Sequence, residues 1–167
     1  MFKDVDLKSL KYKYVDGKTR EEEYKVPETL DTSMLLPKTS ALTRYCANCQ
    51  CGAVTCTFLI PSLADLEVID CDCSICTHNG YLLVYPDRKE VVFHTGYDHL
   101  HSYAFGDKKM THKFCPTCGS SLMIDFHGGP TIVEGGDRLG INVNFRQALS
   151  EIYCALTYEL GSHAAGY

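Results

Sequence analysis

The fold of this sequence is decided by the stretch Cys115-Pro116-Thr117-Cys118-Gly119. Two cysteine thiolates separated by two residues can both bind one tetrahedral Zn²⁺ ion, at about 2.3 Å from each sulfur. The glycine that follows can take a positive φ without a steric clash, and the proline fixes φ in the first half of the turn. The motif therefore predicts a metal-binding turn. Because it supplies only two ligands, it requires a second pair elsewhere in the chain.

The complementary pair lies in the stretch Cys49-Gln50-Cys51-Gly52. Residues i and i+2 of an extended strand project from the same side, so we expect both thiolates to converge on one ion. The two pairs together predict a closed, structural zinc site that joins distant parts of a sheet, with the ligands Cys49, Cys51, Cys115 and Cys118. Cys46 lies shortly before the first pair and is an alternative ligand in place of either member.

A further cluster, Cys71-Asp72-Cys73-Ser74-Ile75-Cys76, places three thiols close together. Three thiolates bind one face of a tetrahedral ion and leave its fourth position open, which is typical of a chemically active zinc. Two alternatives stand beside this hypothesis. Another side chain such as His78 closes the site, or Cys73 and Cys76 act as redox thiols without a metal, since they have the Cys-x-x-Cys spacing. The sequence lacks the βαβ pattern that accompanies the redox motif, which favours metal binding.

The number of thiolates also indicates a kind of chemistry. A zinc ion with three thiolate ligands carries a net charge of about −1, so it acidifies a bound water less than a site with neutral ligands does. We therefore expect this site to polarise a carbonyl group or to hold a substrate thiol, rather than to hydrolyse a bond.

Composition predicts one ordinary globular domain. The chain has 167 residues, of which 45% are hydrophobic and 22% charged, and its formal net charge is −5. An acidic chain does not favour nucleic acid as a partner, and no apolar run approaches the roughly 18 residues that cross a bilayer. The charged amino terminus does not fit a secretory signal, so we expect a cytoplasmic protein that acts on a small molecule. In that compartment 10 cysteines indicate metal sites rather than disulfide bonds.

Short strand patterns bounded by turn signals follow Cys51 and predict a mainly β protein, with antiparallel sheets pinned by zinc and little helix. The predicted strands lie within residues 54–58, 81–85, 90–94, 100–105, 109–114, 121–126 and 141–145. We expect one short helical turn at 65–69, and residues 149–160 fit either a helix or a strand.

The chain divides into two regions. Residues 1–40 are predicted to be an amino-terminal extension, either an ordered arm or a solvated tail, and residues 41–167 to be the zinc-binding domain. Among the histidines, His101 with Tyr103 is a candidate acid–base group on a predicted strand. Such residues, His112 among them, are more often surface or satisfied core positions.

The order of the cysteine blocks resembles a known family. The blocks are Cys49-x-Cys51-Gly52-x-Val54, then Cys71-x-Cys73-x-x-Cys76 with Gly80, then Phe114-Cys115-x-x-Cys118-Gly119-x-x-Leu122. This arrangement, from about Cys46 to about Leu149, is similar to that of the glutathione-dependent formaldehyde-activating enzymes, a family that also includes centromere protein V.

The resemblance implies an Mss4-like, mostly β fold with two Zn²⁺ ions per chain. It implies that the first ion is structural and held by Cys49, Cys51, Cys115 and Cys118, and that the second is catalytic and held by Cys71, Cys73 and Cys76. Family members of known activity join formaldehyde to the thiol of glutathione, giving S-hydroxymethylglutathione, and are grouped as carbon–sulfur lyases. We therefore expect a carbon–sulfur lyase with glutathione as co-substrate.

Two alternative functions remain for this sequence. Asp72 stands where the family usually has histidine, and a carboxylate beside the anionic site can alter the choice of substrate. The same zinc site would then serve a tailoring enzyme that acts on another small carbonyl or thiol metabolite. Closed by a fourth protein ligand, it would instead belong to a non-catalytic, zinc-stabilised binding module.

Overall fold

The computed structural model describes residues 41–131 and 133–143, together with residue 11 and residues 13–16. The predicted extension at 1–40 therefore lies almost entirely outside the described residues, and so does the segment at 149–160. No helix in the described ranges has the length and apolar character needed to cross a membrane.

Nine short strands and one short helix make up the described chain. In chain order the strands are β1 (Thr43–Asn48), β2 (Thr55–Ile60), β3 (Ile69–Asp70), β4 (Leu82–Val84), β5 (Val91–Thr95), β6 (His101–Tyr103), β7 (Thr111–Phe114), β8 (Ser121–Asp125) and β9 (Leu139–Asn142). Helix α1 spans Ser74–Asn79, and single 3₁₀ turns lie at Arg88–Glu90 and Tyr97–His99.

The strands form two antiparallel sheets. The smaller sheet has the order β1-β2-β5 and the larger has the order β3-β4-β9-β8-β7-β6. The prediction of a mainly β protein with antiparallel sheets and little helix is confirmed. Each of the seven predicted strand regions contains an observed strand, although the last begins earlier than expected, at Leu139.

Three local predictions differ from the structure. Strands β1 and β3 and helix α1 were not expected, and the helical turn expected at 65–69 is absent, since that segment is irregular and Ile69 begins β3. Helix α1 is too short to show a helical period, and it ends at Gly80, which takes the left-handed conformation at φ 58°.

The main core lies between the two sheets, because its buried side chains come from both. Phe58 of β2 and Met123 of β8 are completely buried there, as is Val84 of β4. Strand β2 is buried at all six positions because it is the central strand of its sheet. Burial of these large apolar groups is the main driving force for closing one sheet over the other.

A second apolar cluster covers the opposite face of the larger sheet. Successive residues of a strand point to opposite faces, so Val84 enters the main core while Leu83 and Tyr85 enter the second cluster. Cys76 of α1 is buried in this second cluster, and Ile75 packs against it. The helix is thereby fixed on the outer face of the sheet, away from the main core.

Candidate functional site

Two tight turns, one after β1 and one after β7, bring four cysteines together: Cys49, Cys51, Cys115 and Cys118. In both turns a glycine N–H donates to the first cysteine carbonyl, from Gly52 to Cys49 at 2.9 Å and from Gly119 to Cys115 at 2.8 Å. Both glycines have positive φ, 76° and 74°. We call this group the four-thiol cluster.

The turn, rather than a strand, makes the first pair converge. Strand β1 ends at Asn48, so the expectation that Cys49 and Cys51 lie on one side of an extended strand is wrong. Cys46 is buried within β1 and does not belong to the four-thiol cluster.

The sulfur positions fit a tetrahedral metal ion. The Sγ atoms of Cys49 and Cys51 are 3.5 Å apart, those of Cys51 and Cys115 are 3.7 Å apart, and all four lie within 4.8 Å of one another. Bonds of about 2.3 Å from zinc to tetrahedrally placed sulfurs require sulfur–sulfur distances of about 3.8 Å. The donor set therefore has both the chemistry and the dimensions of a closed zinc site.

Two thiols of this cluster, Cys49 and Cys118, differ in the direction in which their pKa is shifted. Burial raises the pKa of Cys49 to about 12. Burial also opposes ionisation of Cys118, but hydrogen bonds from the hydroxyl and N–H of Ser120, together with those from the N–H of Cys51 and the thiol of Cys115, outweigh it and lower the pKa of Cys118 to about 6. Negative charge on several packed sulfurs requires a cation among them, which is the condition that a bound metal ion meets.

Ser120 links the two turns, although no sequence motif marks it. Its hydroxyl lies 3.2 Å from the sulfur of Cys118 and accepts the backbone N–H of Gln50 at 3.1 Å. The backbone of Ser120 also closes its own turn, because its carbonyl accepts the N–H of Cys115 at 2.9 Å. Ser120 thus orients the second turn against the first in the way that residues around metal ligands commonly do.

The remaining predicted ligands, Cys71, Cys73 and Cys76, also come together, with their sulfur atoms within 4.8 Å of one another. We call them the three-thiol cluster. Cys76 is buried in α1, Cys71 is half-buried between β3 and α1, and Cys73 is exposed immediately before the helix. The cluster therefore has one side in the second apolar cluster and one side toward solvent.

His78, the alternative fourth ligand, does not join this cluster. Nδ1 of His78 donates to the carbonyl of Ser74 at 2.6 Å, and the side chain is exposed. Within the described ranges, no other Cys, His, Asp or Glu side chain places a ligand atom in the three-thiol group. A tetrahedral ion bound here would have three ligands from the described residues.

The thiols of this cluster differ in acidity. Burial opposes ionisation of Cys73, but the N–H of Cys76 and the thiols of Cys76 and Cys71 more than compensate, so the pKa of Cys73 is lowered. The pKa of Cys76 is raised by burial and by its two neighbouring thiols. The most exposed thiol is thus the one that most readily becomes a thiolate, the form that binds metals.

Two tyrosines lie beside the three-thiol cluster, one immediately before strand β4 and one immediately after it. Burial raises the pKa of Tyr81, although its hydroxyl is hydrogen-bonded to the side chains of Ser121 and Asn79. Burial and then the charges of the three cluster thiols raise the pKa of Tyr85 to about 12. Neither tyrosine was singled out by the sequence, because their position depends on the sheet and not on a local motif.

The candidate acid–base pair lies on an exposed strand. His101 and Tyr103 are both exposed on β6, the edge strand of the larger sheet. His112 is 3% exposed, stacked between the rings of Tyr81 and Phe105. In the part of the chain that the structure describes, neither ring nitrogen of His112 has a hydrogen-bond partner, so it is a buried histidine but not a satisfied one.

Two matches with known proteins bear on this site. A family model described as "Glutathione-dependent formaldehyde-activating enzyme" matches residues 44–144, a range that contains both cysteine clusters. A crystal structure of a Rhodobacter sphaeroides protein is similar at a TM-score of 0.52 and 27% sequence identity. That match covers 63% of this chain and 90% of the other.

Proposed function

The chain belongs to the glutathione-dependent formaldehyde-activating enzyme family, and from that premise we propose that it is a zinc-dependent carbon–sulfur lyase. In the proposed reaction the thiol of glutathione adds to formaldehyde or another small aldehyde. A carbon–sulfur bond forms, the carbonyl becomes a hydroxyl, and the thiol proton is transferred to oxygen. We place this reaction in the cytoplasm.

The observation that carries the proposal is the three-thiol cluster. Cys71, Cys73 and Cys76 supply the ligand type that zinc accepts, and the described residues provide no fourth ligand atom. Three protein ligands and one free position are the usual arrangement in catalytic zinc sites. The exposed side of Cys73 gives a small molecule access to that position.

The four-thiol cluster supports a different role. Cys49, Cys51, Cys115 and Cys118 complete a tetrahedron, and Cys49 and Cys115 are fully buried in the main core. A closed site of this kind leaves no position for a substrate. We propose that its zinc is structural and that the protein binds two Zn²⁺ ions in all.

The residues around the three-thiol cluster would set the charge, the access of water and the positions of the reactants at this site. Bound to these sulfurs, Zn²⁺ would supply positive charge for a carbonyl oxygen or a thiolate. Cys76 and Cys71 are held by the second apolar cluster, which shields one side of the site from water. A site that fixes two reactants side by side removes much of the entropic barrier to their combination.

The proposal is tested by replacing the exposed ligand, Cys73→Ser. We expect this variant to remain folded, to lose one of two zinc ions per chain, and to lose activity by at least about 100-fold, as loss of transition-state charge stabilisation does. Zinc is measured by elemental analysis. Activity is measured by NMR exchange between ¹³C-formaldehyde, glutathione and their adduct.

The matched control is Cys56→Ala, which removes a buried cysteine of β2 that belongs to neither cluster. This variant should keep both zinc ions and full activity, with a modest loss of stability. A fully active Cys73→Ser variant, or a wild-type protein that does not accelerate the exchange, would contradict the proposed function.

A further inference from the structure

The hydroxyl of Tyr85 lies on the same face of the larger sheet as the three-thiol cluster. Tyr81, Leu83 and Tyr85 alternate along β4 and its ends, and all three belong to the second apolar cluster with Cys76. Cys71 packs against that same cluster. The side chain of Tyr85 is therefore a neighbour of the proposed substrate position, although no sequence motif contains it.

The ring of Tyr85 is held in place from several sides. Its centroid is 6.0 Å from that of Phe126, with the planes at 36°, and its Cε1 edge packs close to the backbone of Gly140. The carbonyl of Tyr85 accepts a hydrogen bond from Nη1 of Arg138 at 2.8 Å. Because the ring and the main chain are both fixed, the direction of the hydroxyl is set before any substrate binds.

Tyr85 differs from Tyr81 in what its hydroxyl does. The Tyr81 hydroxyl is already used by Ser121 and Asn79. The Tyr85 hydroxyl makes no hydrogen bond to any of the described residues, and the residue as a whole is 9% exposed. The Tyr85 hydroxyl is therefore available to bond a ligand, whereas the Tyr81 hydroxyl is not.

Building on the proposed function, we infer that Tyr85 is a catalytic residue whose hydroxyl donates a hydrogen bond to the aldehyde oxygen at the three-thiol site. A phenol is protonated at neutral pH, so it is available as a donor. A donor held in a fixed direction is worth most where negative charge develops during the reaction.

The chemistry balances without a further reactant. The thiol sulfur forms a bond to the aldehyde carbon as the carbon–oxygen π bond breaks, and the electron pair of that bond moves to oxygen. Tyr85 stabilises the negative oxygen through its O–H but keeps its own proton. The thiol loses one proton and the former carbonyl oxygen gains one, so no net proton is consumed. The product is the S-hydroxymethyl adduct of the thiol.

The first test is Tyr85→Phe, which keeps the ring and removes only the hydroxyl. We expect kcat for the exchange of formaldehyde with glutathione to fall by about 100-fold, as on removal of one oxyanion donor. Zinc content and the melting temperature should change little. The matched control is Tyr45→Phe, since Tyr45 is also buried and stacks on a phenylalanine, but lies in the smaller sheet.

The second test does not depend on turnover. S-(2-hydroxyethyl)glutathione and S-propylglutathione differ mainly in a hydroxyl near the sulfur, and their affinities are compared by calorimetry. We expect the wild-type protein to prefer the hydroxyl compound by about fivefold, the effect of one hydrogen bond. Tyr85→Phe should abolish that preference, whereas Tyr45→Phe should retain it.

The outcomes separate this inference from the proposed function. If the wild-type protein neither turns over the substrates nor binds either glutathione derivative, both are wrong. If the wild-type protein is active and Tyr85→Phe is equally active, or if the hydroxyl preference survives in Tyr85→Phe, the proposed function stands and the role of Tyr85 is overturned.

Discussion

The two cysteine clusters offer the same type of ligand, but their cysteines are separated by very different distances along the sequence. The four-thiol cluster brings Cys51 to Cys115 across 64 residues, and its buried members belong to the main core between the sheets. The three-thiol cluster lies within residues 71–76 and packs on the opposite face of the larger sheet. The two clusters therefore share their ligand chemistry and differ in their place in the fold.

This difference has an energetic meaning. Closing a loop of 64 residues costs chain entropy, which metal binding at the four-thiol cluster would offset, so affinity there becomes folding free energy. The three-thiol cluster closes only a short local segment, so a metal bound there would contribute little to holding distant strands together. The first cluster links distant strands, whereas the described residues supply only three ligands to the second.

The largest effect is expected on disrupting the four-thiol cluster with Cys118→Ser. Structural zinc contributes on the order of 10 kcal/mol to folding, comparable to the whole stability of an ordinary domain. We therefore expect the variant to lose its cooperative thermal transition and the dispersed NMR spectrum of a folded β protein. Cys73→Ser, in the other cluster, is the control and should retain both. If Cys118→Ser folds and Cys73→Ser does not, the two roles are exchanged.

A smaller effect distinguishes the clusters without any mutation. A chelator added stepwise should remove one zinc ion at low concentration together with the activity, because three ligands hold an ion less tightly than four. Only at higher concentration should the second ion leave and the protein unfold. Zinc release, activity and circular dichroism measured on one titration give the order. Unfolding that precedes the loss of activity would contradict the comparison, whereas restored activity on returning zinc after the first step would support it.

The smallest effect concerns His112, which lies on the same sheet face as the three-thiol cluster but outside it. His112→Phe keeps an aromatic ring between Tyr81 and Phe105 and removes two buried nitrogens that have no partner among the described residues. We expect the free energy of unfolding to rise by about 1 kcal/mol, since an unsatisfied buried polar group is costly. Urea denaturation at pH 7.5 measures it.

The same substitution should also change the pH dependence of stability. Burial lowers the pKa of His112 in the folded state, so below the ordinary value of about 6.5 the unfolded chain binds a proton that the folded chain does not. Stability is then lost as the pH falls from 6.5 through the lowered pKa. The advantage of His112→Phe over the wild-type protein should therefore be larger at pH 5.5 than at pH 7.5. An advantage that is constant with pH would mean that His112 is not held neutral by burial.

Much of the fold is readable from local sequence because its signals are local. Strand β2 and strand β8 show apolar residues bounded by turn residues, and the glycine after each cysteine pair marks the tight turns that the structure contains. The family resemblance was likewise carried by the order of short cysteine blocks, and the match over residues 44–144 confirms it.

What the sequence did not reveal depends on which strands become neighbours. Tyr85 follows β4 and Phe126 follows β8, and they meet only because β9 lies between those strands in the sheet. His112 was expected to be a surface or satisfied core position, since nothing nearby in the sequence shows that its neighbours are the aromatic rings of Tyr81 and Phe105. Ser120 was missed because its role is to contact the other turn, which begins at Cys49.

The placement of the two clusters along the chain has a consequence for biosynthesis. A ribosome releases the amino-terminal part of a protein first, so Cys71, Cys73 and Cys76 are all present before Cys115 and Cys118 have been made. The three thiols can bind an ion while the chain is still being synthesised. Cys49 and Cys51 supply only two ligands until Cys115 and Cys118 have been made. On the proposed assignment, the three-thiol site would therefore be complete during synthesis before the four-thiol site is.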